Sequence, residues 1–313
     1  MSEASVFRTL REASSELEEP VVTIGNFDGV HRGHQRIIRR ARASADERGT
    51  RAVALTFDPH PVRYFRPEVA AFRLTTSAQR AKLLLDYGVD AVVELPFDEW
   101  LSSLEPSEFV DEILNGGLGA RDVVVGEDFA FGKGRAGSTD DLERLCRQRG
   151  IDTQVCDHLE VDGESVSSTR IRNLIDEASL EQVNSLQGRP YRILGEVVHG
   201  DKRGRDLGFP TANIQTPNPV LPPNGIYVTT LHLSGYPSLQ SVTSIGVRPT
   251  FGGGPITVES HVLDYDDELD IYDESVGLDF WSHLREERDY DEVDALVAQM
   301  ERDVEEARVY FGL

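Results

Sequence analysis

The sequence predicts an α/β domain followed by an all-β domain: a parallel sheet covered on both faces over residues 1–186, then an antiparallel barrel with a terminal helix over residues 187–313. Three observations predict it. Strand-length apolar runs alternate with helical segments from Glu19 to about Leu186, the pattern of a buried parallel sheet. Beyond Gly188-Arg189-Pro190 the chain breaks into short strand-like pieces split by Gly, Pro, Asn and Asp, as in small antiparallel barrels. A chain of 313 residues with 39% hydrophobic content is also long enough for two cores.

In the first half, residues 21–25, 52–57, 91–95 and 123–125 read as strands because they are nearly uninterrupted apolar runs. Residues 35–48, 77–87, 106–114 and 139–149 read as the helices between them. Ligands on such a sheet bind beyond the carboxyl ends of its strands. In the second half the expected strands are 191–198, 225–233, 239–245 and 257–263. Residues 290–312 close the chain as an amphipathic helix, with Val293, Leu296, Val297, Met300, Val304 and Val309 near helical spacing.

Composition excludes several function classes. The first twenty residues lack the basic and apolar regions of a signal peptide, and no run approaches the roughly 18 apolar residues of a membrane span, so a cytoplasmic protein with no membrane partner is expected. Cys146 and Cys156 lie ten residues apart without zinc-site spacing and read as packing residues. Acidic residues outnumber basic ones 55 to 32, a net charge of −23, and Lys82, Lys133 and Lys202 are the only lysines. Such a surface repels nucleic acid, and a phosphate site on it must make a local positive field from helix N-termini, arginines and Mg²⁺. The acidity fits a chain kept soluble in concentrated salt; a drift toward Arg codons gives the same lysine deficit.

The segment VVTIGNFDGVHRGHQRII (21–38) joins a buried strand to a helix through Gly25, Gly29 and Gly33 and places His31 and His34 three residues apart at the helix start. A helix N-terminus offers unpaired N–H groups and partial positive charge, and two imidazole donors add what a phosphate gaining charge in a transition state requires. That points to phosphoryl or nucleotidyl transfer. Solvated surface histidines, or a zinc pair without its other ligands, are the alternatives.

This segment resembles the nucleotide-binding motif of the prokaryotic bifunctional riboflavin kinase/FMN adenylyltransferase family. TFDPHP (56–61), LTT (74–76), VVVGEDFAFGKGRAG (123–137) and SSTRIR (167–172) follow in the family's order. The resemblance implies a Rossmann-like nucleotidyltransferase domain whose ATP and phosphate contacts come from Gly25, Phe27, His31, His34, Asp128, Ser168, Thr169 and Arg172, with the two histidines catalytic. Hydroxyls and a guanidinium suit phosphate oxygens, although Ser-Thr before Arg also begins many ordinary helices. Asp128 assists Mg²⁺, holds the substrate loop, or merely forms a turn. A P-loop over Gly126 to Lys133 is excluded, because five residues separate Gly126 from Gly132 and Gly134 follows the lysine. After LTT the family usually carries Glu-Lys, whereas Gln79-Arg80 stands here.

A second segment, HGDKRGRDLGFPTANI (199–214), resembles the family's riboflavin-kinase signature, and PPNGIYV, SIGVRPTFGG and VESHVLD follow in order. Gly200, Gly204 and Gly208 permit close backbone approach to phosphates, while Lys202, Arg203 and Arg205 bring positive charge; a solvated hairpin loop is the alternative. Thr211 and Asn213 are two residues apart on an extended segment, hence on one side, and are hard oxygen donors suited to Mg²⁺. The resemblance implies that they hold the metal and ATP phosphates and that Glu259 is the base. His261, on the same face, reads as structural. In LREERDY (284–290) the resemblance implies a flavin contact from Arg285, with Asp289 where Lys is common; Ile271-Tyr272-Asp273 only loosely represents the family's LYG. The expected activity is phosphorylation of riboflavin to FMN and adenylylation of FMN to FAD, with ATP as co-substrate and Mg²⁺ as cofactor. A nucleotidyltransferase for another acceptor and a sensor with degenerate sites are the rival readings.

Overall fold

The computed structural model describes residues 5–200, 207–247, 256–264 and 271–313. It divides into two compact units, Met1–Ser168 and Thr169–Leu313.

The first unit is built on β1 (Ser5–Phe7), β2 (Val21–Ile24), β3 (Ala52–Asp58), β4 (Ala91–Pro96), β5 (Asp122–Gly126) and β6 (Asp152–Cys156). They form one parallel sheet in the order β1-β4-β3-β2-β5-β6. Its central strands are apolar on both sides because both faces are covered. Val22, Ile24, Val53, Leu55, Val93, Val123 and Val125 meet Phe109, Ile113 and Leu142 in the larger core. The alternate residues pack the other way: Val21, Ala52 and Val124 against Ala41 and Ala45 of helix Arg32–Arg48, and Ala54 and Val92 against Ile38 and Leu84. The expected helix over 106–114 begins as α-helix at Pro106–Glu108 and continues as a π-helix, Phe109–Asn115. A short ribbon, β7 (Glu160–Val161) with β8 (Glu164–Ser165), precedes helix Ser168–Asp176. Cys146 and Cys156 are free, and burial pushes both thiols up.

In the second unit β9 (Tyr191–Val198), β10 (Ala212–Gln215), β11 (Gly225–Leu233), β12 (Leu239–Val247), β13 (Ile256–Val262) and β14 (Ser275–Arg285) close an antiparallel barrel in the order β10-β13-β12-β11-β14-β9. Helix Leu180–Gln187 docks on it through Asn184, whose Oδ1 accepts from Tyr191 N at 2.8 Å and whose Nδ2 donates to Phe280 O at 2.9 Å. The terminal helix, Val293–Phe311, packs Val304, Ala307 and Phe311 on Ile226, Val228 and Trp281. Of the residues expected on its buried face, Leu296, Val297, Met300 and Val304 are partly buried, while Val293 and Val309 are 61% and 72% exposed.

That helix is also held by an ion pair: Arg285 Nε and Nη2 donate to Asp303 at 2.8 and 2.6 Å, with both side chains largely buried. Removing one member of such a pair leaves a buried charge uncompensated, at about 3–5 kcal/mol. Asp303→Ala is therefore expected to lower the unfolding free energy of the barrel unit by that order, and its urea midpoint in proportion, followed by fluorescence of Trp281 beneath the helix. A midpoint equal to wild type would contradict the pin.

Candidate functional site

Strand β2 ends at Ile24, and the next residues form a tight turn rather than continuing the sheet. Phe27 and Val30 adopt positive φ of 49° and 39°, and Gly29 sits at 77°. The turn delivers His31 as the N-cap of helix Arg32–Arg48, its Nδ1 accepting from His34 N at 3.4 Å. The two imidazoles stack with centroids 3.6 Å apart and planes 17° from parallel. Gly33 permits this, because a Cβ there would lie 3.1 Å from the His31 ring. The predicted pair is thus brought together at a helix N-terminus beyond the carboxyl end of a parallel strand. Gly25 packs against Phe27, which is 1% exposed and sets its ring edge-on to the His34 imidazole with centroids 5.3 Å apart.

The turn is braced from two sides. Leu74 N donates to Asp28 Oδ1 at 2.8 Å and Gly29 N to Thr75 Oγ1 at 3.3 Å, which is the local work of the LTT segment. Ser168 Oγ donates to Asp28 O at 2.9 Å. Across the division of the chain, within the second unit, Arg172 Nη2 donates to Thr169 Oγ1 at 3.0 Å. Asp128 is exposed in the turn after β5, its Oδ1 beside Gly126. Arg36, Arg39 and Arg40 stand exposed along the same helix.

Two features escaped the sequence reading. Arg80 is buried, with its guanidinium on the carbonyls of Asn26 and Phe57 and on Glu94. Beside the turn, at the ends of β3 and β4, Phe57, Tyr64 and Phe65 surround Phe97 with centroids 5.9, 5.3 and 5.7 Å away, and Phe65 is 61% exposed. The aromatic residues were visible in the sequence, but their convergence depends on the helix Pro61–Phe65 folding back over the sheet edge.

On the barrel, Asn213 of β10 pairs directly with Glu259 of β13, and Glu259 in turn with Ser244 of β12. Directly opposed residues share one face, so the carboxamide and carboxylate are neighbours on the outside of the barrel. Gly200 lies against Asn213: a Cβ there would fall 2.2 Å from Nδ2 and 2.6 Å from Oδ1. His261 Nδ1 contacts Pro210 O at 2.9 Å, fixing the residue that precedes Thr211, and burial lowers its pKa. Gly208 sits at φ 87°. Arg285, expected at the flavin, holds Asp303 and donates Nη1 to Glu286 O at 2.9 Å. Glu287 packs over Gly246, and burial, then Asp289 and Glu259, push its carboxyl up against the opposing pull of Arg285. Lys202 and Gly204 lie outside the described residues. No cluster of three His, Cys, Asp or Glu side chains able to hold a metal occurs among the described residues, so a cation here would rely on hydroxyl and carboxamide oxygen.

The histidine-capped turn thus lies in the parallel-sheet unit, and the Asn213–Glu259 pair on the closed barrel. The family model for FAD synthetase matches residues 13–170, and that for riboflavin kinase matches residues 187–311. The bifunctional riboflavin kinase/FMN adenylyltransferase of Pseudomonas fluorescens is 42% identical over 289 residues, covering 92% of each chain. That of Escherichia coli K12 is 35% identical over 293 residues, covering 94% of this chain and 93% of the relative. The chain belongs to the bifunctional riboflavin kinase/FMN adenylyltransferase family. A solved structure described as a macrolide-efflux protein from Streptococcus pneumoniae superposes with a TM-score of 0.86 at 27% identity, covering 97% of this chain and 99% of that one. Among the described residues no helix is long and apolar enough to cross a membrane.

Proposed function

We infer that this chain phosphorylates riboflavin to FMN at its C-terminal site and adenylylates FMN to FAD at its N-terminal site, using ATP in both steps. The observation that carries this reading is the presence, on one chain, of both family matches together with a chemically suitable site in each matched region. The functional division falls at residues 186/187, where the riboflavin-kinase match begins; the helix Leu180–Gln187 that ends there packs with the barrel. The enzyme works in the cytoplasm.

In the kinase step Glu259 accepts the proton of the riboflavin 5′-hydroxyl as that oxygen attacks the γ-phosphorus of ATP, and ADP leaves. Thr211 and Asn213 would hold Mg²⁺, Gly200, Lys202, Gly204 and Gly208 would cover the phosphates, and Arg285 would support the flavin side. The donor set fits this ion, which favours oxygen ligands and keeps few protein contacts beside substrate phosphates. Bound there, Mg²⁺ would neutralise charge on the transferring phosphoryl group.

In the second step an FMN phosphate oxygen attacks the α-phosphorus of a second ATP and pyrophosphate leaves. His31 and His34 donate to the phosphate oxygens as charge builds, the backbone of Gly25 and Phe27 and the hydroxyl of Ser168 shape the turn, and Asp128 would assist a metal carried by the triphosphate; the family resemblance adds Thr169 and Arg172 as phosphate contacts. The aromatic group around Phe97, whose rings meet edge to face, offers a partly exposed apolar surface against which the isoalloxazine ring can pack.

The test is chromatographic product analysis of the purified chain with riboflavin, ATP and Mg²⁺. FMN followed by FAD is expected, and excess EDTA is expected to abolish both; a chain that forms neither product is not this enzyme. Gly200→Ala gives a narrower prediction, because its Cβ would displace the Asn213 carboxamide. FMN formation should fall at least about tenfold, by the precision that near-attack geometry demands, while FAD formation from supplied FMN stays at the wild-type rate. Wild-type FMN formation in this variant would remove Asn213 from the metal site.

A further inference from the structure

Among the fully buried side chains Arg80 is the largest, at 1% exposure. Its guanidinium donates Nη1 to Asn26 O at 3.1 Å and Nη2 to Phe57 O at 3.1 Å and Glu94 Oε2 at 2.7 Å. Glu94 is equally buried and also accepts from Ser77 Oγ at 2.7 Å and pairs with Arg8. Burial, and then the neighbouring Arg73 and Arg8 charges among others, lower the Arg80 pKa to about 10, which leaves it charged at neutral pH.

The two carbonyls it holds are not equivalent pieces of scaffold. Asn26 lies in the turn between β2 and His31, and Thr56 Oγ1 reaches the same carbonyl at 3.3 Å. Phe57 lies at the carboxyl end of β3, where Arg73 also bonds its carbonyl at 3.1 Å and Asp58 Oδ1 at 2.6 Å. Arg80 is therefore a cross-brace between two adjacent strand ends at the ligand edge of the sheet. Stability alone gives little reason for it, since a buried ion pair is often replaceable by apolar residues of similar volume at no loss. A planar guanidinium, by contrast, sets the distance between several oxygens at once.

We propose that Arg80, seated by Glu94, is a positioning residue for adenylyl transfer, fixing the turn that leads to His31 and His34 against the carboxyl end of β3. The proposal rests on reading the N-terminal site as the FMN adenylyltransferase. Its consequence is separable from folding: losing the brace displaces the histidines relative to the acceptor without removing any group that touches substrate, so kcat falls more than KM rises.

The experiment compares wild type with the double variant R80M/E94M and with R80K. Each is assayed for FAD formation from FMN and ATP, for FMN formation from riboflavin, and by thermal melting. In R80M/E94M, kcat for FAD is expected to drop at least about tenfold, KM for ATP to change less than about threefold, and FMN formation to stay at the wild-type rate. Wild-type kcat for FAD in a cooperatively folded R80M/E94M overturns the proposal. Should that variant fail to fold, R80K decides: it keeps the charge against Glu94 but releases at least one carbonyl, and a loss of about threefold or more in kcat is expected. Wild-type kcat in R80K overturns the proposal equally. Failure of the underlying reading is distinguishable, because wild type would then make no FAD.

Discussion

Replacing His31 with alanine is expected to slow FAD formation by about 10²–10³-fold, the usual effect of deleting one preorganised donor to a charge-gaining oxygen. The geometry says why the ring is a donor. Its Nδ1 accepts from His34 N at 3.4 Å, which makes Nε2 the protonated nitrogen. The ring is also 5% exposed and stacked on His34, so its direction is fixed before any substrate arrives. Losing the N-cap will cost the helix about 1 kcal/mol. That is too little to unfold a covered parallel sheet, so the rate loss should appear without a comparable loss of structure. FMN formation, on the other unit, should be unchanged. A His31→Ala enzyme that makes FAD at the wild-type rate would mean that the pair is an ordinary helix start.

The second large effect is expected at Glu259. Glu259→Gln keeps the volume and the cross-strand packing against Asn213 and Ser244 but cannot accept a proton. Loss of a positioned general base lowers rates by about 10²–10⁴-fold, and FMN formation should fall in that range. With FMN supplied, FAD formation should proceed as in wild type, the mirror image of His31→Ala. If Glu259→Gln phosphorylates riboflavin normally, the carboxylate is a surface strand residue and the base lies elsewhere.

The buried strands of the first unit were legible because two covered faces demand uninterrupted apolar runs, as at β2, β3, β4 and β5. The sheet's edge strands gave no such signal: β1 has three residues and β6, DTQVC, is partly exposed along its length. In the barrel, β14 carried alternation at Val276, Leu278 and Phe280 that went unread, while β10 was recognised only as an extended segment. The terminal helix was expected to bury Val309, which is exposed, whereas Asp303 and Ala307 are its fully buried positions, and Asp303 is there as the partner of Arg285 from β14. A tertiary ion pair has no local trace.

The same distinction applies to the sites. His31 and His34 are three residues apart, so helix geometry alone brings them together. Asn213 and Glu259 needed the barrel register, which the sequence supplied only through resemblance. Arg80 looked like a weakened motif, since its partners Asn26, Phe57 and Glu94 lie 54, 23 and 14 residues away. Gln79 beside it retains a capping box with Thr76, so the departure from the family pattern preserves the helix start and adds the brace.

The central claim is that one chain transfers two different phosphorus atoms of ATP at two sites, and positional labelling tests it most directly. The chain is incubated with riboflavin, Mg²⁺ and ATP labelled either at the γ- or at the α-phosphorus, and the flavin products are separated. The account predicts γ-label in FMN, α-label appearing only in FAD, and loss of the α-label alone in His31→Ala. γ-Label reaching FMN with no α-label in any flavin would leave a kinase and contradict the bifunctional account; no label in either flavin would contradict it altogether.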